Sequence, residues 1–155
     1  MSAKMKRTPN GGVAASVADV TFRLLVACQE KERRAAGKVH LSVPEFRVLR
    51  VFRNSSSLRV KDLLQLLDED TSRLSRVLAS LEKSGFIVRS IQTDDRRGVR
   101  VTLTRKGTNL AGSLERLYVA MHEEILKDIP ADLHKPLLDG LENLLVAIER
   151  WLLHK

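Results

Sequence analysis

Apolar residues recur at helical spacing along most of the chain and switch to strict alternation in one short stretch. Val13, Val17, Val20, Leu24, Leu25 and Cys28 predict a helix from Val13 to about Ala36, with Gly37 as its terminator. Ser42-Val43-Pro44-Glu45 reads as a helix start. Ser42 is the N-cap, Pro44 lies in the first turn, and Glu45 closes a capping box because its carboxylate can reach back to a backbone donor. Phe46, Leu49 and Phe52 then face inward up to Asn54. Ser55-Ser56-Ser57 is a turn, and Val60 to Leu67 is a short apolar helix led into by Leu58 and ended by Asp68-Glu69-Asp70. The next helix covers Thr71 to Ser84. Two short helices on either side of a tight turn form a helix-turn-helix pattern.

Gly85 ends that unit. Phe86-Ile87-Val88-Arg89-Ser90-Ile91 begins a strand, and Val99 to Thr104 alternates with period two, as a half-buried partner strand must. Between them the polar tip Gln92 to Gly98 completes a hairpin with a basic end, which directly after a helix-turn-helix is a wing. Thr104 can cap a helix whose apolar residues Leu110, Leu114, Leu117, Met121 and Ile125 run to about Ile129. After a break at Pro130 a last helix carries Leu133, Leu137, Leu141, Leu144, Leu145, Ile148, Trp151 and Leu152, with Pro136 either kinking it or marking its start. The expected fold is mainly α with a small β-hairpin wing. A tail at residues 1–12 precedes a winged helix-turn-helix lobe at residues 41–104, flanked by helical segments at 13–40 and 105–155. The length suggests one compact folding unit.

Charge sharpens this picture. The chain carries 27 Lys and Arg against 19 Asp and Glu, a net +8, which favours a polyanionic partner. The excess is +5 over residues 1–40 and +6 over 41–107, but −3 over 108–155, so the polyanion is expected at the central lobe. On a helical wheel, Leu74, Val77, Leu78 and Leu81 share one face of Thr71–Ser84. Ser72, Arg73, Ser75, Arg76, Ala79, Ser80 and Lys83 occupy the other, which bears no carboxylate. A solvated helix face usually interleaves signs to gain i,i+4 pairs. A face rich in donors suits a major groove, where Arg73 and Arg76 can pair bidentately with guanine O6 and N7 and the serine hydroxyls can reach phosphates or bases. In the wing, Asp95 can hold Arg97 extended toward a minor groove, with Arg96 and Arg100 on phosphates.

Leu41-Ser42-Val43-Pro44-Glu45-Phe46-Arg47-Val48-Leu49, Ser72-Arg73-Leu74-Ser75-Arg76, Leu81-Glu82-Lys83-Ser84-Gly85-Phe86, Asp95-Arg96-Arg97 and Leu103-Thr104-Arg105-Lys106-Gly107 follow one another in an order and spacing that resembles the MarR family of winged helix-turn-helix regulators. The resemblance spans essentially the whole chain. It implies a homodimer built by the first and last two helices, each copy offering one recognition helix and one wing to a pseudo-palindromic operator on double-stranded DNA. It also implies that Ser72, Arg73, Ser75 and Arg76 read the major groove, and that Arg97, held by Asp95, enters the minor groove. Ala79 and Ser80 depart from the Asp and Arg that many relatives carry. Repression relieved by a small effector is the expected mode of action. The rival reading is a winged-helix protein-interaction module without base reading.

The leucine-rich terminal helices support the dimer independently, because amphipathic helices need a surface to cover their apolar stripes. A two-fold dimer would set its recognition helices about 34 Å apart, one turn of DNA. Cys28 is the single cysteine, which excludes an internal disulfide and fits a reducing cytoplasm. It reads as a packing thiol, with a redox-responsive regulator as the alternative. An effector pocket is expected near Phe46, His40 and Arg47. The basic start runs into Thr8-Pro9-Asn10-Gly11-Gly12 and not an apolar leader, and no segment suits a membrane, so a cytoplasmic protein, at the bacterial nucleoid when bound, is expected. No residues suggest catalysis or a cofactor, and His122-Glu123-Glu124 reads as a solvated helix surface before a metal site.

Overall fold

A computed structural model describes residues 12–92 and 98–154. Six α-helices and a three-stranded sheet follow in the order α1 (Val13–Lys38), α2 (Val43–Val51), β1 (Ser57–Arg59), α3 (Val60–Leu67), α4 (Thr71–Lys83), β2 (Ile87–Gln92), β3 (Gly98–Leu103), α5 (Arg105–Leu126) and α6 (His134–Leu153). Short 3-10 turns at Phe52–Asn54 and Ala131–Leu133 extend α2 and lead into α6. The architecture is mainly helical with a winged hairpin, as the periodicities predict.

The chain divides into two compact units, one up to Leu114 and one from Glu115 onward. Composition alone suggested a single folding unit. The reason for the division is visible in α5, whose buried residues Gly107, Ala111 and Leu114 all lie in its first half.

Gly37 does not terminate α1. The helix continues through it to Lys38, and the reversal falls on His40, which adopts a left-handed φ of 58°. Leu41 N donates to Ala36 O and His40 N to Gly37 O, the paired bonds that close a helix end, here with a histidine in the left-handed position where glycine is usual. The same paired bonds close α4, with Gly85 at φ 75° supplying the left-handed residue: Phe86 N donates to Leu81 O and Gly85 N to Glu82 O. At the start of α2 the capping box forms as expected.

The sheet order is β1-β3-β2, all antiparallel. Strand β1 was not anticipated: three residues are too few to show alternation, and Leu58, expected to lead into α3, pairs with Val101. Register places Leu58, Val101 and Ile87 toward the core, leaving Ser57, Arg59, Ser90, Arg100 and Thr102 on the opposite face. The core of the first unit joins Phe46, Leu49 and Phe52 to Leu63, Leu74, Leu78, Leu81, Ile87, Val101 and Leu114, all nearly inaccessible. Each such side chain contributes about 1.5–3 kcal/mol on burial.

In the second unit, Pro136 sits in the first turn of α6, where a missing N–H breaks no helical bond. His134 Nε2 lies 3.1 Å from Leu126 O and 2.9 Å from Ile129 O. Carbonyls only accept, so this nitrogen carries the hydrogen and ties the start of α6 to the end of α5. Helix α6 has no buried residue, and Leu138, Leu145, Trp151 and Leu152 are each more than half exposed.

Candidate nucleic-acid interface

The helix-turn-helix is built by two aspartates. Asp68 takes the left-handed conformation that stops α3, and Asp70 caps α4 by accepting Arg73 N at 2.8 Å. Leu74, Leu78 and Leu81 anchor α4 in the core, which turns Ser72, Arg73, Ser75, Arg76, Ala79, Ser80 and Lys83 outward, all exposed. The predicted polar face is therefore a surface. Arg73 stands 3.7 Å from the Glu69 carboxylate and is 62% exposed, so this pair is loose. Arg76 Nε is 3.4 Å from Ser72 O within the same helix.

Two carboxylates tie α4 to neighbouring elements, Glu82 of α4 itself to β2 and Glu45 of α2 to α4, and neither was read from sequence in that role. Glu82 accepts three bonds from Arg89 on β2, and its carboxyl is held below the ordinary value by the Arg89 side chain first and the Arg89 backbone second. Glu45 of α2 accepts Ser80 Oγ at 2.7 Å with one oxygen and Ser42 N and Oγ at 2.9 and 2.8 Å with the other. Burial pushes the Glu45 carboxyl up, but the bonds from Ser80 and Ser42 together outweigh it and hold it below the ordinary range. A glutamate on an otherwise basic helix, followed seven residues later by an arginine on a strand, is the signal that could have exposed the first link. The second joins residues 35 apart and has no local signature.

At the wing, Arg100 is half-buried and donates to Ser57 Oγ at 3.3 Å, while Ser57 Oγ and Thr102 Oγ1 share a bond of 2.9 Å. Arg59 lies directly opposite Arg100, a like-charged pair, and is held by a two-pronged bond to Asp62 at 2.8 and 2.9 Å. Asp95, Arg96 and Arg97, expected at the wing tip, lie outside the described residues. The base of the wing is fixed by Thr104, which accepts Gly107 N at 3.0 Å as the cap of α5 and donates to Gly85 O at 2.7 Å.

An open cleft of about 500 Å³ lies among Glu32 of α1, Arg47, Arg50 and Val51 of α2, Arg53, Asn54, and Leu66 and Leu67 of α3. Arg47 binds Glu32 through two bonds of 2.6 and 2.9 Å. Of the three residues expected near a pocket, Arg47 lines this cleft, Phe46 is sealed in the core and His40 is exposed at the α1 turn. Cys28 is half-buried, with Lys31 Nζ 3.8 Å from its sulfur. Among the described residues no cluster of His, Cys, Asp or Glu could hold a metal ion, and no helix is long and apolar enough to cross a membrane.

The MarR family profile matches residues 41–99, the span from the start of α2 to the second wing strand. Over 113 residues the chain is 30% identical to the Bacillus subtilis HTH-type transcriptional regulator YfiV, covering 72% of this chain and 70% of that relative. The crystal structure of apo MarR from E. coli superposes with a TM-score of 0.62 at 26% identity, over 82% of this chain and 94% of the other. NadR in complex with 4-hydroxyphenylacetate shares the fold, with a TM-score of 0.63 at 19% identity over 90% of this chain and 96% of that one. These relatives are transcriptional regulators and not enzymes. With the profile lying on the helix-turn-helix and wing described above, and the likeness continuing into the flanking helices, the chain belongs to the MarR family of transcriptional regulators.

Proposed function

We propose that this regulator binds double-stranded DNA sequence-specifically as a homodimer and represses transcription by occluding a promoter. The observation that carries the reading is the outward face of α4, where Ser72, Arg73, Ser75, Arg76 and Lys83 are exposed together and the helix's one carboxylate, Glu82 at the edge beside Ser75, is taken up by Arg89. A neutral or interleaved face would pair with itself or with water. A face of donors anchored from behind by leucines is suited to a groove lined with guanine acceptors and flanked by phosphates. Arg73 and Arg76 read bases, Ser72 and Ser75 contact bases or phosphates, and Lys83 and Arg100 contact phosphates. Asp95, Arg96 and Arg97 act at the wing tip, Arg97 in the minor groove.

The uncovered apolar face of α6 and that of α1 support the dimer, since Leu138, Leu145, Trp151 and Leu152 on one and Phe22, Leu25 and Val26 on the other stand largely in solvent in a single copy. On this reading residues 13–40 and 105–155 supply the dimerisation surface and 41–104 the DNA-binding lobe, and the protein acts in the bacterial cytoplasm. The cleft between α1, α2 and α3 is the effector site. Its arginines suit an acid and Val51, Leu66 and Leu67 suit an apolar body, which parallels the acid bound by NadR. Binding there favours a spacing of the recognition helices that misses successive grooves.

Selection of bound duplexes from a random pool tests the proposal. Enrichment of a two-fold symmetric site, bound by a particle of twice the chain mass, supports it. A pool that stays random after repeated rounds contradicts it and favours the protein-interaction module.

A further inference from the structure

We infer that Ser80 serves DNA reading as a positioning residue: its hydroxyl fastens α4 to the carboxylate that caps α2 and so sets the roll of the recognition face. The inference rests on the DNA-binding reading above. Ser80 lies on the same side of α4 as Arg73 and Arg76, seven and four residues further on, where a phosphate contact would otherwise be expected. Its chemistry argues against one. A serine has a single hydrogen to donate, and here that hydrogen goes to Glu45 Oε1 at 2.7 Å. A phosphate oxygen only accepts, so it finds no donor at Ser80 and meets the negative charge of Glu45 beside it.

What the bond does supply is direction. The contacts of Leu74, Leu78 and Leu81 with the core are apolar and carry no direction of their own, so they fix the roll of α4 less sharply than a hydrogen bond does. Glu45 cannot follow such a rotation, because its other oxygen is committed to the backbone N–H and hydroxyl of Ser42. A roll of α4 would therefore break the Ser80 bond while swinging Arg73 and Arg76 out of register with the bases. Glu82 and Arg89 hold the helix from the β2 side, so α4 is fastened to two different elements within three residues.

The test is a set of variants, each confirmed as folded by circular dichroism, titrated against the selected duplex and a scrambled one. Ser80→Ala is expected to weaken the selected duplex on the order of tenfold, as for loss of one hydrogen bond to a charged group. It is expected to leave the scrambled duplex and the salt dependence of binding unchanged. Glu45→Ala should lower the ratio of the two affinities to the same degree, and adding Ser80→Ala to it should lower it no further. Glu45→Gln, whose amide can cap Ser42 N and still pair with Ser80, should retain most of the selectivity. Equal losses on both duplexes with a shallower salt dependence would make Ser80 a phosphate contact and overturn the inference, as would multiplying effects or a Ser80→Ala protein that binds like the parent. Failure of the unmutated chain to discriminate the duplexes would remove the DNA-binding reading itself, a result distinct from these and read before any variant is made.

Discussion

Arg89 on β2 wraps the Glu82 carboxylate of α4 with its backbone N–H at 2.9 Å and its guanidinium Nε and Nη2 at 2.9 and 2.6 Å. Helix α4 and the first strand of the wing are thereby joined by one planar fork, which ties the proposed recognition helix to the wing. Each side chain is about one third exposed, which leaves the pair partly screened by salt. Arg89→Ala is expected to leave the protein folded with a lowered melting temperature and several-fold weaker operator binding. Arg89→Lys should not restore binding, because an ammonium cannot supply the fork. Thermal melts and anisotropy titrations at two salt concentrations check both statements.

Acid should weaken the fold through the same links. The Glu82 and Glu45 carboxyls sit below their ordinary value of 4.5, the first because of Arg89 and the second because hydrogen bonds outweigh burial. Carboxyls depressed on folding stabilise the native state fully above the ordinary value, and that stabilisation is lost as pH falls through the lower native values. Denaturant midpoints should therefore hold steady from pH 7 to 5.5 and drop below about pH 4.5, and Glu45→Gln should flatten part of the drop. A midpoint that rises on acidification would contradict this.

Base contacts and phosphate contacts should separate by their salt behaviour. Arg73→Ala or Arg76→Ala is expected to cost about 1–3 kcal/mol on the selected duplex and to relax preference at one position of each half-site. Lys83→Ala should weaken all duplexes alike and reduce the slope of log affinity against log salt by about 1. Competition titrations against single-base variants of the site distinguish these patterns.

Gly107 is required by space. A Cβ added there would run into the backbone carbonyl of Phe86, and that carbonyl already accepts Thr104 N at 3.0 Å. The first turn of α5 can lie against the wing base only with hydrogen at this position. Gly107→Ala is expected to destabilise the protein by roughly 1–3 kcal/mol, the usual cost of overpacking, as read from urea unfolding.

The apolar surface of α6 should hold the dimer together. Leu145 is 55% exposed in the single chain, on a helix with no buried residue. Leu145→Asp is expected to yield a monomer by sedimentation, with helix content retained and operator affinity reduced by orders of magnitude, since a single recognition helix loses the half-site partner. A dimer of unchanged strength would place the interface elsewhere.

Much of the architecture was legible because its signals are local. The capping box at Ser42 and Glu45, the turn at Asp68 to Asp70 and the left-handed Gly85 depend on neighbours within a few residues, and the helix-turn-helix and wing follow from them. The end of α1 was misplaced because a glycine in helical conformation looks like a stop, while His40 in a glycine's role gives no warning. Strand β1 was missed because it exists through pairing with residues more than 40 positions away. The exposed basic face of α4 could be read from the helical wheel, but the tie from Ser80 to Glu45 could not, since it arises only when α2 and α4 pack.

The most direct test of the account is the affinity of the unmutated chain for the selected duplex and for a scrambled duplex of the same length, measured by fluorescence anisotropy at one fixed salt concentration. Binding to the selected duplex on the order of a thousandfold tighter, with one dimer per site, is the predicted result. Equal affinities, rising and falling together with salt, would mean that α4 meets only the phosphate backbone and would contradict sequence reading by this protein.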